Sequence, residues 1–298
     1  ATDANGNTSE FSQCYTVTAG NSGTLIFTST AISVAENVAG GNAVISITRS
    51  GGTEGQVTAN FSTSDGTATA PADYGATNVS VTFADGEGPT KTVNVPIVNE
   101  TLFELDETVN LTLGTTTVLR PDGTEYEAER ADGLATSAVL TITNDDPCVV
   151  NPVVQNTNDS GAGSLRRAVF EACPGSTITF APAVTPSITL TSGEIVINKN
   201  LTITGPGANL LAVSGNNASR IFSVQAGRTV SISGLTLTGG NGVGAVSSPD
   251  GGAILNFGVL TLANMTVSGN TSRYGGGLGN FSASASVTVN NSTFANNS

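Results

Sequence analysis

Four carboxylates crowd one short stretch of this chain. Glu100, Glu104, Asp106 and Glu107 fall within eight residues of "PIVNETLFELDETVNLTL", residues 96–113. A second acidic pair, Asp145-Asp146, closes the apolar run "AVLTIT" some forty residues later. Carboxylates this dense repel one another, so something must hold them, and the two clusters read as parts of one site. The charge supports cation binding or plain solubility. Residues 21–146 hold 17 acidic and 4 basic side chains, against 4 and 6 in residues 147–298. A nucleic-acid surface would need a basic patch, and none is present.

Catalytic chemistry finds little support. The chain has no His, which excludes Ser-His and Cys-His nucleophiles. A polysaccharide-cleaving site needs clustered acids with a basic neighbour on one face. The acids after residue 147 are Asp159, Glu171, Glu194 and Asp250, far apart in sequence. Arg220, Arg228 and Arg273 could line one face, but no carboxylate repeats with them. The glycines of "GGNGVG" (239–244) precede no helix and make a poor phosphate cradle. The chain is expected not to be an enzyme. Cys148 and Cys173 flank one segment and Cys14 stands apart, with no zinc spacing. A secreted context would allow a Cys148–Cys173 disulfide; three free or buried thiols are the alternative.

The elements that must position these residues are strands. Hydrophobic content is 38% and charged content 11%, with Gly, Thr, Ser and Asn interleaving short Val/Ile/Leu runs, which predicts an all-β chain. No apolar run reaches the roughly 20 residues of a membrane helix. Residues 21–146 alternate apolar strands with turn signals about every 10 residues, from "TLIFTSTAISVAE" to "SAVLTITNDD", which predicts a seven-stranded β-sandwich. Pro96 inside "VNVPIV" suggests an edge strand or bulge.

Residues 147–298 change character. One helix is expected in "GSLRRAVFEACPG", with Ser164 as N-cap and Leu165, Ala168, Val169 and Ala172 on one face. Short strands then recur from Leu201, Val230, Leu260 and Val287, at intervals of 29, 30 and 27 residues. Such a period predicts a β-solenoid, with the helix capping its first coil and Asn264 and Asn291 in register. The opening "ATDANGNTSEFS" does not read as a native start, and the closing "NNSTFANNS" stops inside the repeat, as in a fragment of a longer chain.

The motifs "ISVAENVAGGNAVISITRSGG", "FSTSDGTATAPADY" and "AVLTITNDD" make residues 25–146 resemble the Calx-β family, a Greek-key sandwich of sodium–calcium exchangers and bacterial surface proteins. The resemblance implies calcium at one end of the sandwich. The matching positions are Glu36, Asp73, Asn99, Glu100, Glu104, Glu107, Asn144, Asp145 and Asp146. Asn99, Thr101 and Asn144 stand where the strongest binders carry acids, which implies fewer ions or weaker binding. Asp106 is expected to face solvent. The stretch "VVQNTNDSGAGSLRRAVFEACPGSTITF" resembles the cap of right-handed parallel β-helix modules in secreted bacterial proteins, and the GGAI and GGGL-N motifs resemble polymorphic outer-membrane adhesins. Residues 1–20 are similar to the closing strand of an Ig-like domain plus a linker.

Together the resemblances imply an extracellular or cell-surface structural or adhesive protein. Calcium would stiffen the junction between sandwich and rod. Its partners would be a protein or glycan on a cell surface, or neighbouring subunits of the same protein. A fibre or sheath subunit and a polysaccharide-binding or -processing module are the alternatives; the absence of Trp weakens the last.

Overall fold

The computed structural model describes residues 21–119, 123, 125–127 and 135–298. The closing strand and linker expected over residues 1–20, and Cys14 with them, lie outside the described residues. The chain divides into two compact units, with the boundary between Asp146 and Pro147.

The first unit is a sandwich of two sheets. Its strands are β1 (Thr24–Phe27), β2 (Ala31–Ala35), β3 (Asn42–Ser50), β4 (Gln56–Asp65), β5 (Asn78–Phe83), β6 (Thr90–Pro96), β7 (Glu107–Leu113), β8 (Thr117–Leu119), β9 (Glu125–Glu127) and β10 (Ser137–Thr143). One sheet has the order β1-β3-β6; the other runs β2-β10-β7-β4-β8-β9, with β5 also on β4. Pro96 ends β6, which is an edge strand, where a missing N–H breaks no ladder. Period-two alternation sends Ala43, Ile45 and Ile47 of β3 into the core, against Phe27, Phe61 and Leu140. The stretch "TLIFTSTAISVAE" reads as one strand in sequence but forms two. β1 pairs with β3 in one sheet and β2 with β10 in the other. A polar turn separates them, in which the Ser29 hydroxyl donates to Ala31 O (2.7 Å). The hairpin of β8 and β9 is a further addition to the seven strands expected.

Arg49 continues the inward series of β3 and is buried. Nε donates to Ser22 O (2.9 Å), Nη1 to Ala84 O (2.9 Å) and Glu87 O (3.3 Å), and Nη2 to Glu54 O (3.1 Å) and Gly55 O (2.7 Å). Such saturation compensates the lost hydration of the guanidinium. It also ties four chain segments together at one end of the sandwich.

The second unit is a parallel β-solenoid of about five turns. Its strands are β11 (Val153–Val154), β12 (Thr177–Phe180), β13 (Ser187–Thr189), β14 (Ile195–Ile197), β15 (Leu201–Thr204), β16 (Ala212–Ser214), β17 (Phe222–Val224), β18 (Thr229–Ser233), β19 (Thr236–Thr238), β20 (Ile254–Asn256), β21 (Val259–Ala263), β22 (Thr266–Ser268), β23 (Leu278–Asn280), β24 (Ser286–Asn290) and β25 (Thr293–Ala295). They stack into three sheets, β11-β12-β15-β18-β21-β24, β13-β16-β19-β22-β25 and β14-β17-β20-β23. Leu201, Val230, Leu260 and Val287 are in register, so the sequence period is the coil. Ile203, Ile232 and Leu262 stack in a continuous buried column.

Before the coils comes the one helix among the described residues, α1 (Leu165–Glu171), with Leu165, Ala168 and Val169 buried. Ser164 is its N-cap, accepting from Arg167 N at 3.2 Å. Lys199 Nζ donates to Phe170 O (2.6 Å) and Ala172 O (3.1 Å) at the other end, answering carbonyls that a helix leaves unpaired. A disulfide joins Cys148 to Cys173 just past the helix. No described helix is long and apolar enough to cross a membrane.

The solenoid brings together partners that the sequence does not show. Of Arg220, Arg228 and Arg273, the first and last have carboxylate partners. Arg220 pairs with Glu194 (2.5 Å), Arg273 with Asp250 (3.1 Å) and Arg166 with Asp159 (2.7 Å). The first two partners come from different coils, brought together by stacking rather than by any repeat in the sequence. Arg220 is fully buried, and its remaining donors hold the loop after β19 through Gly242 O, Val246 O and Asp250 O.

Candidate metal centre

The acidic residues gather at the end of the sandwich opposite Arg49. Glu36 follows β2, Glu100 and Glu104 lie in the loop between β6 and β7, and Asp146 follows β10. Strand pairing sets these positions, because β2 and β10 run parallel and finish side by side at Ala35 and Thr143. The Glu36 N–H continues the ladder to Thr143 O at 3.0 Å.

Two groups of carboxylates result. Glu36, Glu100 and Asp146 bring oxygen atoms within 4.8 Å of one another, as do Asp73, Glu104 and Glu107. Asn144 spans the space between them. Its Oδ1 accepts from Glu104 N (3.1 Å) and its Nδ2 donates to Asp146 O (2.9 Å). Beside the second group lies a cavity of about 10 Å³ lined by Glu36, Asp73, Glu104, Glu107 and Asn144. That is about the room one water-sized particle needs.

The first group carries two unanswered oxygens. Glu36 Oε1 accepts from Glu100 N (3.0 Å), and Glu100 Oε2 accepts from Thr101 N (2.9 Å) and Leu102 N (2.6 Å). Glu100 Oε1 and Asp146 Oδ2 are buried with no hydrogen-bond partner. A buried carboxylate oxygen without a partner is costly, and two of them on carboxylates grouped with a third cost more. The electrostatics agree. Burial pushes the Glu36 carboxyl up, and the charges of Glu100, Asp146 and Asp145 push it further. Asp146 is raised by lost solvation and by Asp145 and Glu100. Glu107 is pushed up to about 7, first by burial and then by Asp73 and Glu104. A cation would reverse each effect, and hard oxygen donors without sulfur or imidazole suit calcium or magnesium rather than a transition metal. The residues present therefore fit a calcium ion.

The remaining candidates sit differently. Asp145 is exposed and joins neither group; its carboxylate accepts from Asn37 N (3.2 Å) and from Asn37 Nδ2. Asn99 is exposed and outside both groups. Asp106 is exposed, yet its Oδ1 accepts from Asn144 N at 3.1 Å and so fixes the bridging amide. Asp73 Oδ2 accepts from Thr69 N (2.7 Å) and Thr69 Oγ1 (3.0 Å), which orients it toward Glu107. Asn37 and Thr69 went unnoticed in the sequence, where nothing distinguishes them from other polar turn residues.

Comparison with curated proteins finds no match to the chain. Among solved structures, the apo-form Calx CBD1 domain is 22% identical, covering 41% of this chain and 96% of that one, with a TM-score of 0.34. The calcium binding domain CBD12 of CALX1.1 is 20% identical over 44% of this chain and 52% of that one, at 0.35. The Calx CBD2 domain is 20% identical over 41% and 86%, at 0.34. The profile of the Calx-beta domain matches residues 19–147. With its two sheets and its strand-end acids, this part of the chain is a Calx-β sandwich, and a β-solenoid follows it.

Proposed function

We propose that the sandwich binds calcium through Glu36, Glu100 and Asp146, with Asp73, Glu104 and Glu107 as a second group, in a non-catalytic extracellular protein of structural or adhesive role. One observation carries the reading: Glu100 Oε1 and Asp146 Oδ2 are buried and unpartnered, on two carboxylates that gather with Glu36 within 4.8 Å. The ion supplies positive charge that lets three carboxylates share one place. The protein supplies the placement, through the end of the β2–β10 ladder and the Glu100 loop. Binding stiffens the chain where it leaves the sandwich, since Asp146 is followed by Pro147, with its restricted φ, and by the disulfide-bonded Cys148. The disulfide also supports an extracellular or cell-surface location. A solenoid of Ser, Thr and Asn surface suits contact with a protein or glycan on a cell surface, or with neighbouring subunits.

Isothermal calorimetry on the full chain tests this, with calcium and magnesium titrated into chelator-treated protein. Calcium should bind, and at 100 times its Kd should stabilise the sandwich by about 2.7 kcal/mol. Glu36→Gln with Asp146→Asn should remove the heat of the first group, and adding Glu104→Gln should remove what remains. No heat and an unchanged melting curve would defeat the proposal.

A further inference from the structure

We propose that the sandwich is a load-bearing module in which the ion acts as a clip between the two strands that tension would shear. This rests on the calcium reading above and extends it to the mechanics of the chain. The argument begins with the ends of the fold. β3 runs from Asn42, paired with Pro96 near the acidic end, to Ser50, paired with Thr24. The chain therefore enters the sandwich at the Arg49 end, where Arg49 Nε holds Ser22 O at 2.9 Å. It leaves from β10 at the acidic end, through Asn144 and Asp146. Entry and exit are about 30 Å apart, the length of a nine-residue strand at roughly 3.4 Å per residue. Chain continues on both sides, so tension along it passes through the sandwich from end to end.

Tension entering at Ser22 first shears β1 along β3, and behind it the load falls on β2 and β10. Both run toward the acidic end, paired in parallel from Ala31↔Val139 to Ala35↔Thr143. Pulling the entry one way and the exit the other slides β2 against β10 along their common axis. The rungs are then loaded together and not peeled one at a time. The bonds that must break include Val139 N to Thr30 O (2.9 Å), Glu36 N to Thr143 O (3.0 Å) and Thr143 Oγ1 to Val34 O (3.2 Å). Just past the last rung, Asn37 donates to Asp145 across the same seam. Glu36 is the residue after β2, and Asp146 follows β10. An ion held by both links the two sheared strands at their ends. Glu100 adds a tie to the loop after β6. The acidic site thus sits on the seam that bears the load.

The test holds the full chain by its two termini in an optical trap at constant force, with calcium or with chelator. The sandwich is recognised by a release of about 400 Å of chain, at roughly 3.4 Å per extended residue. An ion bound in the folded state and lost at the barrier slows unfolding by one plus the ratio of concentration to Kd, about 100-fold at 100 times Kd. Glu36→Gln should bring the rate in calcium to the rate in chelator. Handles moved to Thr53 and Glu87, both at the Arg49 end, pull the fold open away from the ion, and calcium should then change the rate less than threefold. Calorimetric binding with a less than threefold change under end-to-end load overturns the clip alone. Absence of binding overturns the clip and the calcium reading together.

Discussion

Replacing Arg220 by Met should unfold the solenoid selectively. The Arg220 side chain has no exposure and Glu194 has 6%, so the substitution strands a buried carboxylate opposite a thioether. Breaking a buried pair from one side costs about 3–5 kcal/mol, most of it the uncompensated charge. The carbonyls of Val246 and Ser247 lie in an exposed loop where water replaces the lost donor, but the buried carbonyls of Gly242, Asp250 and Gly251 lose theirs as well and add to the cost. For a unit of this size, about 4 kcal/mol lowers Tm by roughly 8–16 °C. The chain has no Trp, so far-UV circular dichroism with hydrogen exchange read by mass spectrometry is the suitable assay. Peptides from residues 190–255 should lose protection while sandwich peptides keep theirs. Glu194→Gln added to Arg220→Met removes the stranded charge and should recover at least half of the loss. A shift below about 3 °C, or a double variant no better than the single, would refute the claim that this pair is energetically coupled.

Gly244→Ala should weaken the same pair without touching either member. Its Cβ would lie 2.4 Å from Arg220 Nη1 and 2.6 Å from Glu194 Oε2, and a melting curve close to that of Arg220→Met is expected. Reduction or Cys148→Ser with Cys173→Ser should cost about 3.5 kcal/mol by loop entropy for a separation of 25 residues, read as earlier exchange of the α1 amides. Glu107 makes the calcium-free sandwich pH-dependent. Its folded pKa of about 7 lies above the ordinary 4.5, so the folded state binds more protons and stability falls as pH rises through that window. The loss is at most about 3 kcal/mol. Urea titrations at pH 5 and pH 8 in chelator should show it, and Glu107→Gln should flatten it.

The architecture was largely readable from the residues because its signals are periodic. The coil starts at Leu201, Val230, Leu260 and Val287 pair as the spacing implies, and Ser164 caps the helix. Aperiodic features were not readable. One apolar run splits between two sheets at Thr28–Thr30, and propensity does not register a crossover between sheets. Arg220 finds Glu194 across 26 residues, and Arg273 finds Asp250 across 23, distances set by corner loops of unequal length. At the acidic end, the sequence supplied the carboxylates but not their division. Asp145 turns to Asn37 while its neighbour Asp146 turns inward, and only the end of the β10 ladder decides which faces the cluster.

The Asn corners of the solenoid have a consequence for how such a chain can grow. Asn264 and Asn291 adopt left-handed φ of 55° and 45°, and Asn291 Nδ2 donates to Asn264 Oδ1 at 2.6 Å. Each corner is thus keyed to its copy one coil away, and so is every buried column beside it. A single-residue insertion within a strand would throw the remaining strand out of step with both neighbours. Duplication or loss of a whole coil, by unequal crossing-over between segments of 27 to 30 residues, leaves every contact replaced by its equivalent. Lineages of this protein should therefore differ in rod length by whole numbers of coils, each step of about 4.8 Å. Point changes should be tolerated first at exposed corner positions such as Ala283, between β23 and β24, and not at Gly242, Gly244 or Asp250, which the Arg220 network holds.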